Sequence, residues 1–259
     1  MADGIHATAI ISKEARLARD VRVGPYSVVG AGVEIAAGCS LGSHVTVEGP
    51  TSIGENNSIF QFASIGAPPQ DLKYAGEDTR LEIGTGNTIR EFATLNRGTV
   101  GGGGTTRVGD NCLLMAYSHV AHDCTLGDGV VMANAATLAG HVTIEDYGIV
   151  GGLAAIHQHV RIGSSAILGG GAMVTLDVPP FCMAAGDRAR LQGLNVVGLK
   201  RRGLSRDSIR KLRKAYRTLF QSSLRLSDAV AELAHDRSSS SEVGQLLDFV
   251  ESSERGICR

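Results

Sequence analysis

The sequence contains no tryptophan, and aromatic residues make up only 4% of it. A core without large rings must be filled by Val, Ile, Leu and Ala. Proline is scarce, at 6 residues, which excludes a collagen-like or proline-rich chain even though glycine is abundant at 34 of 259. The 5 cysteines are odd in number, scattered and without a CxxC pair, which argues against a disulfide framework or a structural zinc site. No apolar run approaches the roughly 18 residues of a membrane-spanning helix. Met1-Ala2-Asp3-Gly4 lacks the basic and apolar regions of a signal peptide. These absences predict a cytoplasmic protein with no membrane insertion. Neither sign of charge dominates, with 25 Lys and Arg against 26 Asp and Glu, so a nucleic-acid binder is not expected. With 43% hydrophobic and 20% charged residues, the chain is not intrinsically disordered.

What is present is a repeat. Stepping by six from Ile5 gives eleven aliphatic positions without a miss, through Leu17, Val29, Leu41 and Ile53 to Ile65. A second block runs from Val108 through Leu126, Met132, Leu138 and Ile156 to Val174, twelve positions without a miss. A short run, Ile83, Ile89 and Leu95, lies between them. Six is a multiple of the strand period of two and not of the helical 3.6, so the aliphatic residue always points to one side of a strand. The residue four further on points there too, and in the second block it is nearly always small, as at Cys112, Cys124, Ala136, Ala154 and Ala172. Large and small residues alternating inward predict a parallel β-solenoid of short strands and turns. In such a fold each coil buries its face only against its neighbours. Cys39, Cys112 and Cys124 are then packing residues. The residue after the aliphatic one is often glycine, as at Gly24, Gly42, Gly109 and Gly127, which predicts tight corners of unusual φ there.

Two interruptions and a tail break the pattern. The register stops at 66–82, where Pro68-Pro69 cannot continue a ladder, and again from Gly98 to Arg107, which contains GGGG. Long loops on a regular scaffold tend to carry function. After Val174 the hexads end at Pro179-Pro180. The remainder has a helical period. Ser205 is the expected N-cap of a helix with Ile209, Leu212, Tyr216, Leu219 and Phe220 on one stripe. Ser227 is expected to cap a second helix, and a third runs through Leu246, Leu247 and Val250. The predicted domains are residues 1–187, solenoid, and 188–259, helical. Nine basic residues fall between 200 and 217, opposed only by Asp207. This pattern is either a solvated helix face or a dock for an acidic partner.

Five of the 8 histidines lie between 119 and 159. Asp123, His141 and His159 are spaced by 18, three hexads, which predicts one column on adjacent coils.

The hexads resemble those of the hexapeptide-repeat acyltransferases. That resemblance implies an all-β solenoid, a left-handed parallel β-helix with three hexads per coil, followed by a C-terminal α-helical domain and assembled as a homotrimer. The segments QFASIG, QDLKYAGE, RGT, SHVAHDC, LAGHV, HQ, DVPPF and GLKRRG, in this order, are similar to those of the UDP-N-acetylglucosamine acyltransferases of lipid A biosynthesis. The resemblance implies an enzyme moving an acyl chain from acyl carrier protein to the 3-position of UDP-N-acetylglucosamine, with no cofactor and no metal. It implies His122 as general base, Asp123 as its partner acid and Gly140 as a backbone oxyanion donor. Asp71, Lys73, His119, His141, His157 and Gln158 match substrate contacts. Asn195 matches a nucleotide contact, Arg201 and Arg202 match phosphate contacts, and Gly170 matches a position that leaves the acyl groove open. The basic stretch then becomes the dock for acyl carrier protein. The chain departs from the family pattern at Asn96, His159, Arg188 and Val197. The 3-amino analogue of the sugar nucleotide therefore stays open as acceptor, as does acyl length. A zinc enzyme of the solenoid carbonic anhydrase type is the remaining alternative.

Overall fold

The computed structural model describes residues 4–259. The chain winds into a solenoid with three parallel faces, of nine, eight and ten strands. Most strands are two residues long, and each pairs with the strand one coil away. His119 pairs with Thr137 and Thr137 with Ala155, a step of 18 residues. Across the two interruptions the step lengthens. Ser64 pairs with Thr94, 30 residues on and so 12 more than one coil. Thr94 pairs with His119, 25 on and 7 more. The insertions therefore bulge out as loops, and the coils above and below stay in register.

The aliphatic column fills the interior, with Val120, Met132, Leu138 and Ile162 all 0% exposed. The small residues of the second column, among them Ser118, Cys124, Ala136 and Ala154, are equally buried. Large beside small at most rungs is what a narrow triangular prism of native packing density requires. The three cysteines read as packing residues are free and buried, and burial pushes the Cys124 thiol up to about 12.

The corners differ from the sequence reading. Of the glycines after the aliphatic residue only Gly66, where the first interruption begins, is at positive φ, at 76°; Gly24, Gly42, Gly109 and Gly127 are not. They are required by close approach between coils: a Cβ on Gly109 would lie 2.7 Å from the carbonyl carbon of Gly127. The left-handed residue is instead three after the aliphatic one, and non-glycine residues often hold it. One corner carries Tyr26, His44, Phe62, Phe92 and Tyr117, each with φ between 56° and 64°. Their rings stack from coil to coil at 4.8 to 5.2 Å, the spacing of the strands beneath them.

The expected boundary at 187/188 falls within a hairpin. Residues Arg190–Leu194 form a strand, antiparallel to Cys182–Ala185, at one edge of the ten-stranded face. A hairpin at this end gives the last rung a partner and leaves less open edge. The helices are α1 (Val196–Arg201), α2 (Arg206–Phe220), α3 (Leu226–Glu232), α4 (Ala234–Arg237) and α5 (Ser241–Glu251). Ser205 caps α2, accepting the Ser208 N–H at 3.0 Å. Ser227 does not cap α3, which starts at Leu226 behind Arg225. Leu212, Leu219, Leu246 and Leu247 form a second core, joined to the solenoid end through Phe181 and Leu199. The segment 252–258 then returns to the solenoid, where Ile257 bridges Asp177. No helix among the described residues is long and apolar enough to cross a membrane.

Candidate active site

Strand alternation from inward Val120 sends His122 into the core. The corner between the nine- and eight-stranded faces prevents this. Asp123 adopts φ 60°, and this left-handed residue turns the chain from the nine-stranded to the eight-stranded face within the AHDC hexad itself. Asp, Asn and His tolerate that conformation better than other non-glycine residues, and the same corner is held by His141 and His159 one and two coils on, each with φ 62°. The His122 side chain consequently leaves the interior and is 16% exposed, while that of Asp123 is 1% exposed.

The two side chains meet despite being neighbours in sequence, with His122 Nδ1 2.8 Å from Asp123 Oδ2. A second residue completes the arrangement. The Thr99 N–H donates to Asp123 Oδ1 at 2.8 Å and its hydroxyl to Oδ2 at 2.6 Å. The Asp123 N–H in turn donates to Thr106 Oγ1 at 2.8 Å. Thr99 belongs to the glycine-rich interruption, and glycine is needed there because the loop lies on the carboxylate. A Cβ on Gly102 would sit 2.0 Å from Asp123 Cγ. Sequence reading missed Thr99. The signal was a hydroxyl residue inside an insertion that has to leave the solenoid at a corner. A carboxylate only accepts, so a neutral His122 carries its proton on Nδ1 and presents a lone pair at Nε2. That is the state of a general base.

Gly140 lies beneath the imidazole. Its added Cβ would be 2.4 Å from His122 Cε1 and 2.7 Å from Nε2. Its carbonyl accepts the His159 N–H at 3.2 Å, and its own N–H has no acceptor among the described residues. A free backbone donor thus stands one coil from a free imidazole nitrogen. His141 meets His122 edge-on at 5.1 Å and stacks on His159 at 4.4 Å with 13° between planes, so the predicted column is formed. His141 Nε2 is 3.8 Å from Asp123 Oδ2.

Burial holds the His141 imidazole below its usual range, outweighing the pull of Asp123 in the other direction. Burial also lowers His119, with the nearby His122 adding to it. His119 Nδ1 is 2.7 Å from Thr94 Oγ1. Depressed histidines stay neutral in the folded chain while the unfolded chain takes up protons. Stability therefore falls as pH drops below the unfolded value of about 6.5 and levels off beneath the folded one. NMR titration is expected to place both midpoints under that value, with thermal stability declining over the same interval. Midpoints at or above it would contradict the burial argument.

The first interruption adds to this corner. Asp71, Lys73, Tyr74 and Glu77 share a cavity of about 310 Å³ with Thr99, His141 and His159. Asp71 Oδ1 accepts the Lys73 N–H at 3.0 Å. The loop is anchored at its base by buried Arg97, which donates to the Gly49 and Gly66 carbonyls at 2.8 Å and to the Tyr74 hydroxyl at 3.2 Å. Asn96 donates to the Pro68 carbonyl at 2.8 Å. His157 and Gln158 stand on the same edge, at the position of Ala121–His122 two coils on.

The other expected contacts lie elsewhere in the single chain. Gly170 follows strand Ile167–Leu168, at the corner between the ten- and nine-stranded faces. Asn195 and Arg202 sit at the third corner. The Asn195 amide is occupied at both ends, accepting from the Gly198 N–H at 3.0 Å and donating to the Ser165 carbonyl at 3.0 Å. Arg202 hydrogen-bonds Ser165 and covers the Tyr147 ring, 3.4 Å from its centroid. Arg201 is exposed at the end of α1.

Ligand atoms of His122, Asp123 and His141 lie within 4.8 Å of one another, close enough for a metal to be considered. Asp123 Oδ2 already accepts from Thr99 and His122. A three-histidine zinc set needs lone pairs that converge on one point, whereas His159 stacks face-on against His141 and directs its nitrogens in a parallel plane. The donors do not fit that alternative.

Residues 14–49 and 105–140 match the family model for the bacterial transferase hexapeptide (six repeats). Residues 177–258 match the model described as UDP N-acetylglucosamine O-acyltransferase, domain 2. The acyl-[acyl-carrier-protein]–UDP-N-acetylglucosamine O-acyltransferase of Thermodesulfovibrio yellowstonii is 52% identical over 98% of this chain and 99% of its own length. That of Trichlorobacter lovleyi is 55% identical over the same shares. The solved structure of LpxA from Acinetobacter baumannii is 47% identical, covers 99% of this chain and 100% of its own, and superposes with a TM-score of 0.96. The fold is thereby a left-handed parallel β-helix with C-terminal helices.

Proposed function

The chain belongs to the UDP-N-acetylglucosamine O-acyltransferase family, and from that membership we propose that it moves an acyl chain from acyl carrier protein to the 3-hydroxyl of UDP-N-acetylglucosamine, the first step of lipid A biosynthesis. The observation that carries the chemistry is the His122–Asp123 pair beside the free Gly140 amide. In this reading His122 Nε2 takes the proton of the 3-hydroxyl as that oxygen attacks the thioester carbonyl carbon. The carbonyl oxygen becomes an oxyanion held by the Gly140 N–H. Collapse breaks the carbon–sulfur bond, and the imidazolium returns its proton to the leaving thiolate. Asp123 orients the ring and stabilises the transient imidazolium. His119, His141, His157, Gln158, Asp71 and Lys73 surround the sugar and diphosphate. The glycine at position 170 leaves room for a long acyl chain.

The same reading includes a homotrimer, and the three corners support it. Residues assigned to one substrate stand on different edges of a prism whose interior is packed, so one chain cannot bring them together. Copies placed side by side, the corner of one against the third corner of the next, do so, and a homotrimer closes that heterologous contact. Product mass spectrometry with a panel of acyl carrier thioesters, and with UDP-N-acetylglucosamine and its 3-amino analogue as acceptors, tests the reading. An O-acylated sugar nucleotide formed in the presence of chelator is expected. No product with any thioester sinks it, and a monomeric mass by light scattering sinks the trimer.

In this reading the acidic carrier docks on α2. Lys211 and Lys214 are held by Asp207 and Asp236, whereas Arg206, Arg213 and Arg217 are exposed on the helix and form no ion pair among the described residues. Such a face steers an acidic partner and is screened over about 8–10 Å at physiological salt. Reversing Arg213 and Arg217 to Glu is expected to raise KM for the carrier roughly tenfold, since each rim charge is worth about 0.5–1 kcal/mol. KM for the sugar nucleotide should not move. Carrier kinetics indifferent to both salt and charge reversal would place the carrier elsewhere.

A further inference from the structure

Arg255 lies almost one hundred residues from the histidine cluster in sequence, on the returning segment 252–258. That segment is fastened firmly. Ser253 Oγ donates to Asp177 Oδ2 at 2.8 Å, and the Cys258 N–H donates to the Asp177 carbonyl at 2.8 Å. The Asp177 N–H donates to the Gly256 carbonyl at 2.9 Å, and Arg161 donates to the Ser252 carbonyl at 3.2 Å. Asp177, the centre of this clasp, is 1% exposed. The clasp delivers the Arg255 guanidinium to one place, and the guanidinium is then tied on two sides. Its Nε donates to the Thr175 carbonyl at 2.9 Å, and one terminal nitrogen is 2.7 Å from His157 Nδ1.

A guanidinium has donors only. His157 Nδ1 must therefore be the acceptor in this contact, and the proton of the neutral ring sits on Nε2. The Gln158 carbonyl, 3.2 Å from the same Nδ1, would need the opposite tautomer. The two contacts compete, and the shorter, charge-assisted one decides between them.

We propose that Arg255 is a positioning residue that holds His157 as the neutral Nε2–H tautomer, leaving that N–H as a fixed donor to an anionic oxygen of the sugar nucleotide. The clasp at Asp177 thus has a role in substrate recognition as well as in closing the solenoid end. The substrate half of this inference rests on the reading that His157 faces the sugar nucleotide; the tautomer half does not.

Imidazole nitrogen NMR on protein labelled with ¹⁵N-histidine tests both, with His157 assigned by its loss in His157→Gln. In the wild-type protein at neutral pH, Nε2 is expected to be protonated and Nδ1 bare. Arg255→Met should move both shifts toward the tautomer average, and Arg255→Lys should restore them in part. KM for UDP-N-acetylglucosamine should rise about 3–10-fold in Arg255→Met, the loss of one hydrogen bond, with kcat little changed. Ser253→Ala, which removes one hydrogen bond of the clasp that places the guanidinium, should move the His157 shifts in the same direction and by less. A wild-type Nδ1 that carries the proton, or shifts that Arg255→Met does not move, overturns Arg255 as the positioning group. The wild-type spectrum decides this even if the variant fails to fold. Altered shifts with an unchanged KM overturn the substrate contact of His157, while acyl transfer by wild-type protein shows that the chemistry at His122 stands apart from it.

Discussion

His122→Ala is expected to lower kcat about 10²–10⁴-fold, the usual cost of a lost general base, equivalent to about 3–5 kcal/mol of barrier, while the protein melts as the wild type does. The separation of the two effects follows from position. The imidazole stands outside the corner and contributes nothing to the column of Val120, Leu138 and Ile156 inside it. Its removal leaves Asp123 with both Thr99 donors, so no buried carboxylate is stranded. The UDP-sugar should bind with little change, because the base acts in the transition state. Retention of more than about a tenth of kcat by a well-folded variant would put the base elsewhere, with His141 next in line. Asp123→Asn is a different experiment. Its amide nitrogen must face either the Thr99 donors or His122 Nδ1, so it misorients the ring as well as neutralising the acid. Thr99→Val tests the same hold on the carboxylate from the other side.

The interior of this fold was legible because only one kind of residue can occupy it. An aliphatic residue every six positions means the same side of a strand each time, and Val108 to Val174 are buried without exception in the second block. The corners were not legible from the same period. Two positions of each hexad recur as regularly as the aliphatic one, and periodicity cannot say which is left-handed and which is merely crowded. Glycine at the crowded position drew the corner to itself. The true corner residues, Tyr117, Asp123, His141 and Tyr147 among them, look like surface residues in a string of letters. That error made His122 point inward on paper. The partnership of His122 with Asp123 rested on resemblance alone for the same reason, since adjacent strand residues diverge and adjacent corner residues need not. Thr99 and Arg97 lay beyond reach of any period, because insertions take their geometry from what they lie upon. The hairpin across 187/188 was not legible, because Pro179-Pro180 ends the hexads without ending the sheet. Asn195, Arg201 and Arg202 were named by resemblance, and their placement at a different edge from His122 follows from where the hairpin and α1 leave the solenoid.

Gly140→Ala should act almost as strongly as loss of the base, and by a different route. An alanine Cβ would stand 2.4 Å from His122 Cε1, well inside contact distance, and what it meets is a side chain able to swing away. The backbone at Gly140 is not at positive φ, so alanine carries no conformational penalty of its own there. The fold therefore survives and the ring is displaced, breaking the 2.8 Å contact with Asp123 and crowding the amide proposed for the oxyanion. A shift of about 1 Å in a catalytic group costs on the order of 10² in rate, and losing an oxyanion donor costs about 10²–10³. A fall in kcat of at least 10²-fold with a melting temperature near wild type is thus expected. Gly109→Ala provides the contrast. Its Cβ would meet the backbone of Gly127 at 2.7 Å, which cannot rotate aside, so the coils must part and stability must drop. If Gly140→Ala instead unfolds the chain, or leaves kcat intact, then His122 does not work from the place where it rests over that glycine. If Gly109→Ala melts normally, the reading of the repeat glycines as close-approach residues fails with it.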